Sequence, residues 1–220
     1  MDSRPKIAVV TGGHSYDVVS FQQLFRKMPE LDVYVQHMDD FCSSLEEVRD
    51  AYDAVVFYIM MTEGPTDDGL PWYQGKPKTA LEHLGKTGQG IVVLHHALLA
   101  YPDWPLWGDV CGLRNRSCRY FHDQQVATLV VRRDHPIVAG ICDFVISDET
   151  YITDEPEPDN EILLTTLHPK STEALAWTRQ HGQSRVFCYM GGHDQQAWDQ
   201  PEFVRLLQQG INWTTVKSSL

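Results

Sequence analysis

Three apolar runs in this chain stop at an imidazole. Ile7-Ala-Val-Val-Thr11 runs into Gly12-Gly13-His14, Ile91-Val-Val-Leu94 into His95-His96, and Val186-Phe-Cys-Tyr-Met190 into Gly191-Gly192-His193. A fourth stretch, Asp148-Glu149-Thr150-Tyr151, adds two carboxylates and a phenol, and His122 follows a tryptophan-bearing segment. Imidazoles converging with a carboxylate are the donors a Zn²⁺-type site needs, and equally those of general acid–base chemistry. The candidate catalytic residues are therefore His95, Glu149 and His193, with Glu149 or His193 as general base. The candidate ligands of a divalent metal such as Zn are His95, His122, Glu149 and His193. His14, Trp104, His122, Asp148 and Tyr151 are candidate substrate contacts: His14 and Tyr151 to position hydroxyls, Trp104 to stack on a ring. No HExxH or other fixed-offset motif is present, so the pointer to one shared site is the repetition of imidazoles at successive strand ends. Each alone reads as well as a surface or capped side chain, and sequence leaves open whether His95 or His96 faces inward.

Such a site needs a sheet to carry it. Lys6–Thr11, Asp32–Met38 and Asp53–Met61 read as strands, with helices over Val18–Lys27, from a Ser43 or Ser44 capping box to about Asp50, and over Pro77–Lys86. The fourth strand ends at His95. Alternating strands and helices are the pattern of a doubly wound, largely parallel sheet, whose ligands gather at strand carboxyl ends. Beyond it, Gln125–Arg132, Asp143–Ser147, Ile162–Leu167, Glu173–Thr178 and Arg185–Met190 read as short strands adding antiparallel to the sheet edge, with one helical turn at Asp134–Gly140 and a final helix from Pro201 to about Trp213. Asp154–Asp159 is acidic and proline-bearing, hence a solvated loop. The expected fold is an α/β three-layer flavodoxin-like sandwich with a mostly parallel central sheet and antiparallel additions in the C-terminal half, one domain over residues 1–220.

Charge and motifs narrow the function. Eighteen Lys and Arg against thirty Asp and Glu give a net charge of −12, the wrong sign for nucleic acid or an anionic membrane. A neutral small molecule such as a sugar suits this balance better than a polyphosphate. Trp104, Trp107 and Trp198, read as loop residues beside the histidines, could present aromatic faces to a sugar ring. The longest apolar run, Ala54–Met61, is too short to cross a bilayer. With no leader-like start and five scattered cysteines, the reading is a cytoplasmic chain with reduced thiols. There is no GxGxxG, no GxxxxGK[ST] and no GxSxG, and no cysteine stands in a Gly-x-Cys-x-Gly turn. Association into a homo-oligomer is left open.

In order and spacing, Gly12-Gly13-His14, Gly90-Ile-Val-Val-Leu-His95 with its Trp-Pro-Leu-Trp-Gly loop, Tyr120-Phe-His122, Asp134-His-Pro136, Asp148-Glu-Thr-Tyr151, Val186-Phe-Cys-Tyr-Met-Gly-Gly-His193 and Pro201-Glu-Phe…Gly-Ile-Asn-Trp213 resemble the trehalose-utilisation (ThuA-like) family, a branch of the class I glutamine amidotransferase-like superfamily. The resemblance implies the sandwich above without the amidotransferase cysteine, with His95 at or near its elbow. His96 departs from it, since a small residue is expected there. It implies an enzyme of disaccharide, glycoside or keto-glycoside metabolism, a hydrolase or lyase. The alternative is a sugar-binding or regulatory module with no chemistry of its own.

Overall fold

In the computed structural model, which describes residues 4–216, one nine-stranded sheet runs in the order β2-β1-β3-β4-β9-β8-β7-β5-β6. Strands β1 (Lys6–Gly12), β2 (Asp32–His37), β3 (Ala54–Ile59), β4 (Gly90–Leu94) and β9 (Ser184–Tyr189) pair in parallel. Strands β5 (Arg119–Val130), β6 (Phe144–Ile152), β7 (Glu161–Thr165) and β8 (Ala174–His181) are antiparallel additions. The sheet is thus mixed, parallel through β2, β1, β3, β4 and β9 and antiparallel where the C-terminal half extends it, consistent with the expected pattern.

Side-chain alternation explains the core. Ile7 and Val9 of β1, Val56 of β3 and Val92 of β4 point to one face, where they meet Phe21 and Leu24 of α1 (Val18–Arg26) and Leu206, Leu207 and Ile211 of α7 (Pro201–Thr215). Ala8, Val10, Val55 and Val93 point to the other, against Phe41 of α2 (Met38–Ser43), Leu81 of α4 (Pro77–Glu82) and Trp107 of α5 (Pro105–Cys111). Strands covered on both faces read as continuous apolar runs, which is why β1, β3 and β4 are visible in the sequence.

The differences are local. Ser43 and Ser44 do not cap a following helix: their hydroxyls donate back to the Asp40 carbonyl, closing α2, and α3 (Glu46–Arg49) begins without a side-chain cap. The Pro77 helix stops at Glu82, short of Lys86. Part of the expected aromatic loop is helix α5, and a short helix α6 (Gln195–Trp198) precedes the last one. No helix among the described residues is long and apolar enough to cross a membrane.

Candidate active site

At the end of β4 the chain turns sharply into a 3-10 turn, His95–Leu99, and His95 takes a left-handed backbone at φ 56°. Its ring is fully buried. Nδ1 donates to the Met190 carbonyl at 2.9 Å, just past β9, so in the neutral ring Nε2 is a bare lone pair. Tyr151 of β6 donates its hydroxyl to that nitrogen at 2.8 Å. His193 Nδ1 is 3.2 Å from it and Glu149 Oε1 3.6 Å. Glu149 Oε1 and His193 Nδ1 are 3.7 Å apart, and His122 Nδ1 meets the other Glu149 oxygen at 2.6 Å.

His95, Glu149, His193, Tyr151 and His122 therefore do converge, although three of them come from unexpected places. Glu149 and Tyr151 lie inside β6 rather than in a loop after a strand, and His122 lies inside β5. This hairpin bends at a bulge between Phe121 and Gln124, with Asp123 at φ 54°, and β6 delivers Glu149 to the ends of β4 and β9.

Asp148, a candidate substrate contact in the sequence, is engaged by the backbone around it. It is 5% exposed, and its oxygens accept from the backbone N–H groups of Glu149, Gly192 and His193 at 2.8, 2.7 and 3.0 Å. Burial raises its pKa against those bonds and the nearby His95. Its role is to tie β6 to the turn after β9. Gly191 is required there, because a Cβ would stand 2.8 Å from Asp148 Oδ2. Tyr58, which reads in the sequence as just another core residue of β3, donates to the carbonyls of Gly192 and His193 at 3.2 and 3.0 Å and holds the same turn.

Two of the three tryptophans read as loop residues belong to the core. Trp107 and Trp198 are fully buried, their indoles donating to Ala97 O and Gly192 O at 2.8 and 2.9 Å. The half-buried Trp104 ring packs on Tyr101 at 5.6 Å, and the residue occupies the N-cap position of α5 without a side-chain capping bond. Its segment is pinned by the buried Arg116, which donates to the carbonyls of Ala100, Pro102 and Trp104.

His14, exposed after β1, stacks at 4.7 Å on His96. His96 also faces inward, so of the two histidines between which the sequence left the choice open, both are buried. Its Nδ1 donates to the Ile59 carbonyl at 3.0 Å, and burial, reinforced by the neighbouring imidazoles, lowers its pKa to about 2. Two residues beyond Ile59, Met61 begins a cleft of about 370 Å³ lined also by Glu63, Thr66, Leu70, Gln74 and Tyr101.

Electrostatics set the protonation states. Burial works against ionising Glu149, but once His95 is protonated on Nε2 that ring and the Tyr151 hydroxyl hydrogen-bond the carboxylate, and the positive charge beside it holds the carboxyl at about 2. Burial and then His95 lower the pKa of His193, favouring the neutral ring. The buried thiols are unsuited to nucleophilic work: burial pushes Cys42 and Cys111 up to about 12 and Cys188 higher than its usual range.

Three donor atoms 3.2, 3.6 and 3.7 Å apart match tetrahedral ligands, which at about 2.1 Å from Zn²⁺ stand about 3.4 Å from one another. The Met190 carbonyl orients the His95 ring as such ligands require. A second His–carboxylate set, His83 with Glu46 and Asp50, lies at helix ends before β3 and β4, its ring nitrogens paired with the carboxylates.

Comparison with known proteins agrees with this architecture. A ThuA-like protein from Parabacteroides merdae superposes with a TM-score of 0.75 at 21% identity, covering 97% of this chain and 90% of that one. A cytoplasmic protein from Salmonella typhimurium follows at 0.67 and 15%, covering 95% and 98%. PurLQS from Thermotoga maritima, a glutamine amidotransferase-like fold, gives 0.61 and 15%, covering 96% and 99%. At these identities the likeness is one of fold. No curated protein matches the sequence. The family model for ThuA, trehalose utilisation, matches residues 6–214, and the chain belongs to that family.

Proposed function

We propose that this chain is a cytoplasmic carbohydrate-active enzyme on a three-layer flavodoxin-like sandwich, acting on a disaccharide, a glycoside or its keto form. The family points to sugar metabolism. The observation that carries the enzymatic reading is the meeting of His95 Nε2, His193 Nδ1 and a Glu149 carboxylate in one buried cluster. Glu149 stays ionised at neutral pH and His193 favours the neutral ring, so each can accept a proton from a substrate hydroxyl or carbon acid. A proton arriving on His95 Nε2 is held by Glu149 beside it, while Tyr151 O–H orients the lone pair when the ring is neutral. The same three side chains would hold a divalent cation, which when bound supplies polarisation of a substrate oxygen. The cleft beyond Met61 is large enough for a sugar ring.

A second reading, a sugar-binding module without chemistry, is favoured by one observation: an imidazole, not a thiol, occupies the strained turn after β4. Incubation with a panel of disaccharides, glycosides and keto-glycosides, with product analysis and calorimetry, separates the two. Under the enzymatic reading Glu149→Gln loses at least about a hundredfold in turnover while its circular dichroism is unchanged. Full activity in that variant removes the mechanism, and tight binding with no product supports the module.

A further inference from the structure

Next to the cluster lies a buried acceptor that nothing among the described residues satisfies. His96 is 3% exposed. Its Nδ1 faces the Ile59 carbonyl at 3.0 Å, a group that only accepts, so the neutral ring carries its proton on Nδ1 and leaves Nε2 bare. Among the described residues Nε2 has no hydrogen-bond partner. A proton placed there would be equally without an acceptor. Buried polar atoms lacking partners are rare and call for a ligand or water to complete them.

The surroundings say what that ligand must be. Four imidazoles close a ring: His95–His96 at 5.1 Å, His96–His14 at 4.7 Å, His14–His193 at 6.4 Å and His193–His95 at 5.2 Å between centroids. His14, the exposed member, stands on the solvent side of His96. The place is the carboxyl ends of β1 and β3, where the strand order reverses and open α/β sheets take their ligands. A metal is disfavoured, because neither His14 nor His96 belongs to any set of three ligand atoms close enough to share one among the described residues. An anion has no proton to give and would face a lone pair. What remains is a neutral donor, the O–H of a water or of a ligand that displaces it.

Granted the carbohydrate reading above, on which this rests, we propose that His96 Nε2 is a hydroxyl-accepting subsite that takes one O–H of a neutral polyol whose reacting oxygen lies at His95, Glu149 and His193. His96 then determines specificity without touching the reacting atoms, and His14 closes the subsite from the solvent side.

The test uses the full chain labelled with ¹⁵N-histidine, the His96 signals being assigned by their loss in His96→Asn. The probes are trehalose, methyl α-D-glucoside and the 2-, 3-, 4- and 6-deoxy analogues of that glucoside. Long-range ¹H–¹⁵N spectra report the hydrogen bonding of each ring nitrogen. On adding sugar, His96 Nε2 moves from a bare to a hydrogen-bonded position. One deoxy analogue loses that movement and binds about tenfold more weakly. His96→Asn, whose amide can still donate to Ile59 but does not reach the place of Nε2, no longer discriminates that analogue. If the His95 and His193 signals move while His96 Nε2 stays, the subsite is wrong and the carbohydrate reading stands. If no histidine signal moves with any of these sugars, the carbohydrate reading falls and the subsite with it. Should His96→Asn fail to fold, the deoxy series with assigned wild-type spectra decides alone.

Discussion

The left-handed backbone at His95 costs about 1–3 kcal/mol in a residue with a Cβ. It persists because the ring is fixed by Met190 on one side and Tyr151 on the other. Two expectations belong to this scale. His95→Gly removes the imidazole and the strain together, so it should be more stable than His95→Ala by about 1 kcal/mol in urea unfolding, with activity lost in both. Equal stability would mean that the turn is unstrained. The second concerns Glu149, whose folded-state pKa of about 2 lies below the unfolded value of about 4.3. Its contribution to stability is complete above about pH 5 and fades as pH falls toward 2. The melting temperatures of wild type and Glu149→Gln should therefore converge over that window, and a gap that stays constant between pH 5 and 3 contradicts the assignment.

At the scale of elements, the site is a junction between the turn after β9 and the hairpin β5–β6. Asp148 joins them by three backbone N–H bonds. Asp148→Asn replaces one accepting oxygen by an N–H₂ group that faces donors, so it should cost about 2–4 kcal/mol. It should also weaken Zn²⁺ binding measured by calorimetry, since His193 and Glu149 lose their common support. Unchanged stability would show the junction to be held elsewhere, for instance by Tyr58. None of this was legible beforehand: Asp148 read as a site carboxylate, and its burial depends on a pairing 44 residues distant in sequence.

Over the whole molecule, two apolar layers on opposite faces of the sheet hold the strand ends in register. Leu206 in α7 is fully buried on the first face. Leu206→Ala should cost about 2–5 kcal/mol in unfolding free energy while the folded fraction keeps its Zn²⁺ affinity and turnover. A parallel loss of affinity would mean that α7 sets the geometry of the site directly.

The residues themselves show where legibility ends. Ile7–Thr11, Ala54–Ile59 and Ile91–Leu94 announce buried parallel strands because both of their faces are covered, so every side chain is apolar. The imidazoles that end β1, β4 and β9 are consequently placed by sequence alone. The family likeness was equally open to reading, since it rests on order and spacing. The fates of Trp104, Trp107, Trp198, His96 and Glu149 were decided only in three dimensions. An indole has the same sequence signature whether it lines a pocket or fills a core. Glu149 reaches His95 because a bulged hairpin, added at the far antiparallel end of the sheet, bends back over the strand ends. That closure is governed by non-local pairing and packing, which no local spacing of residues encodes.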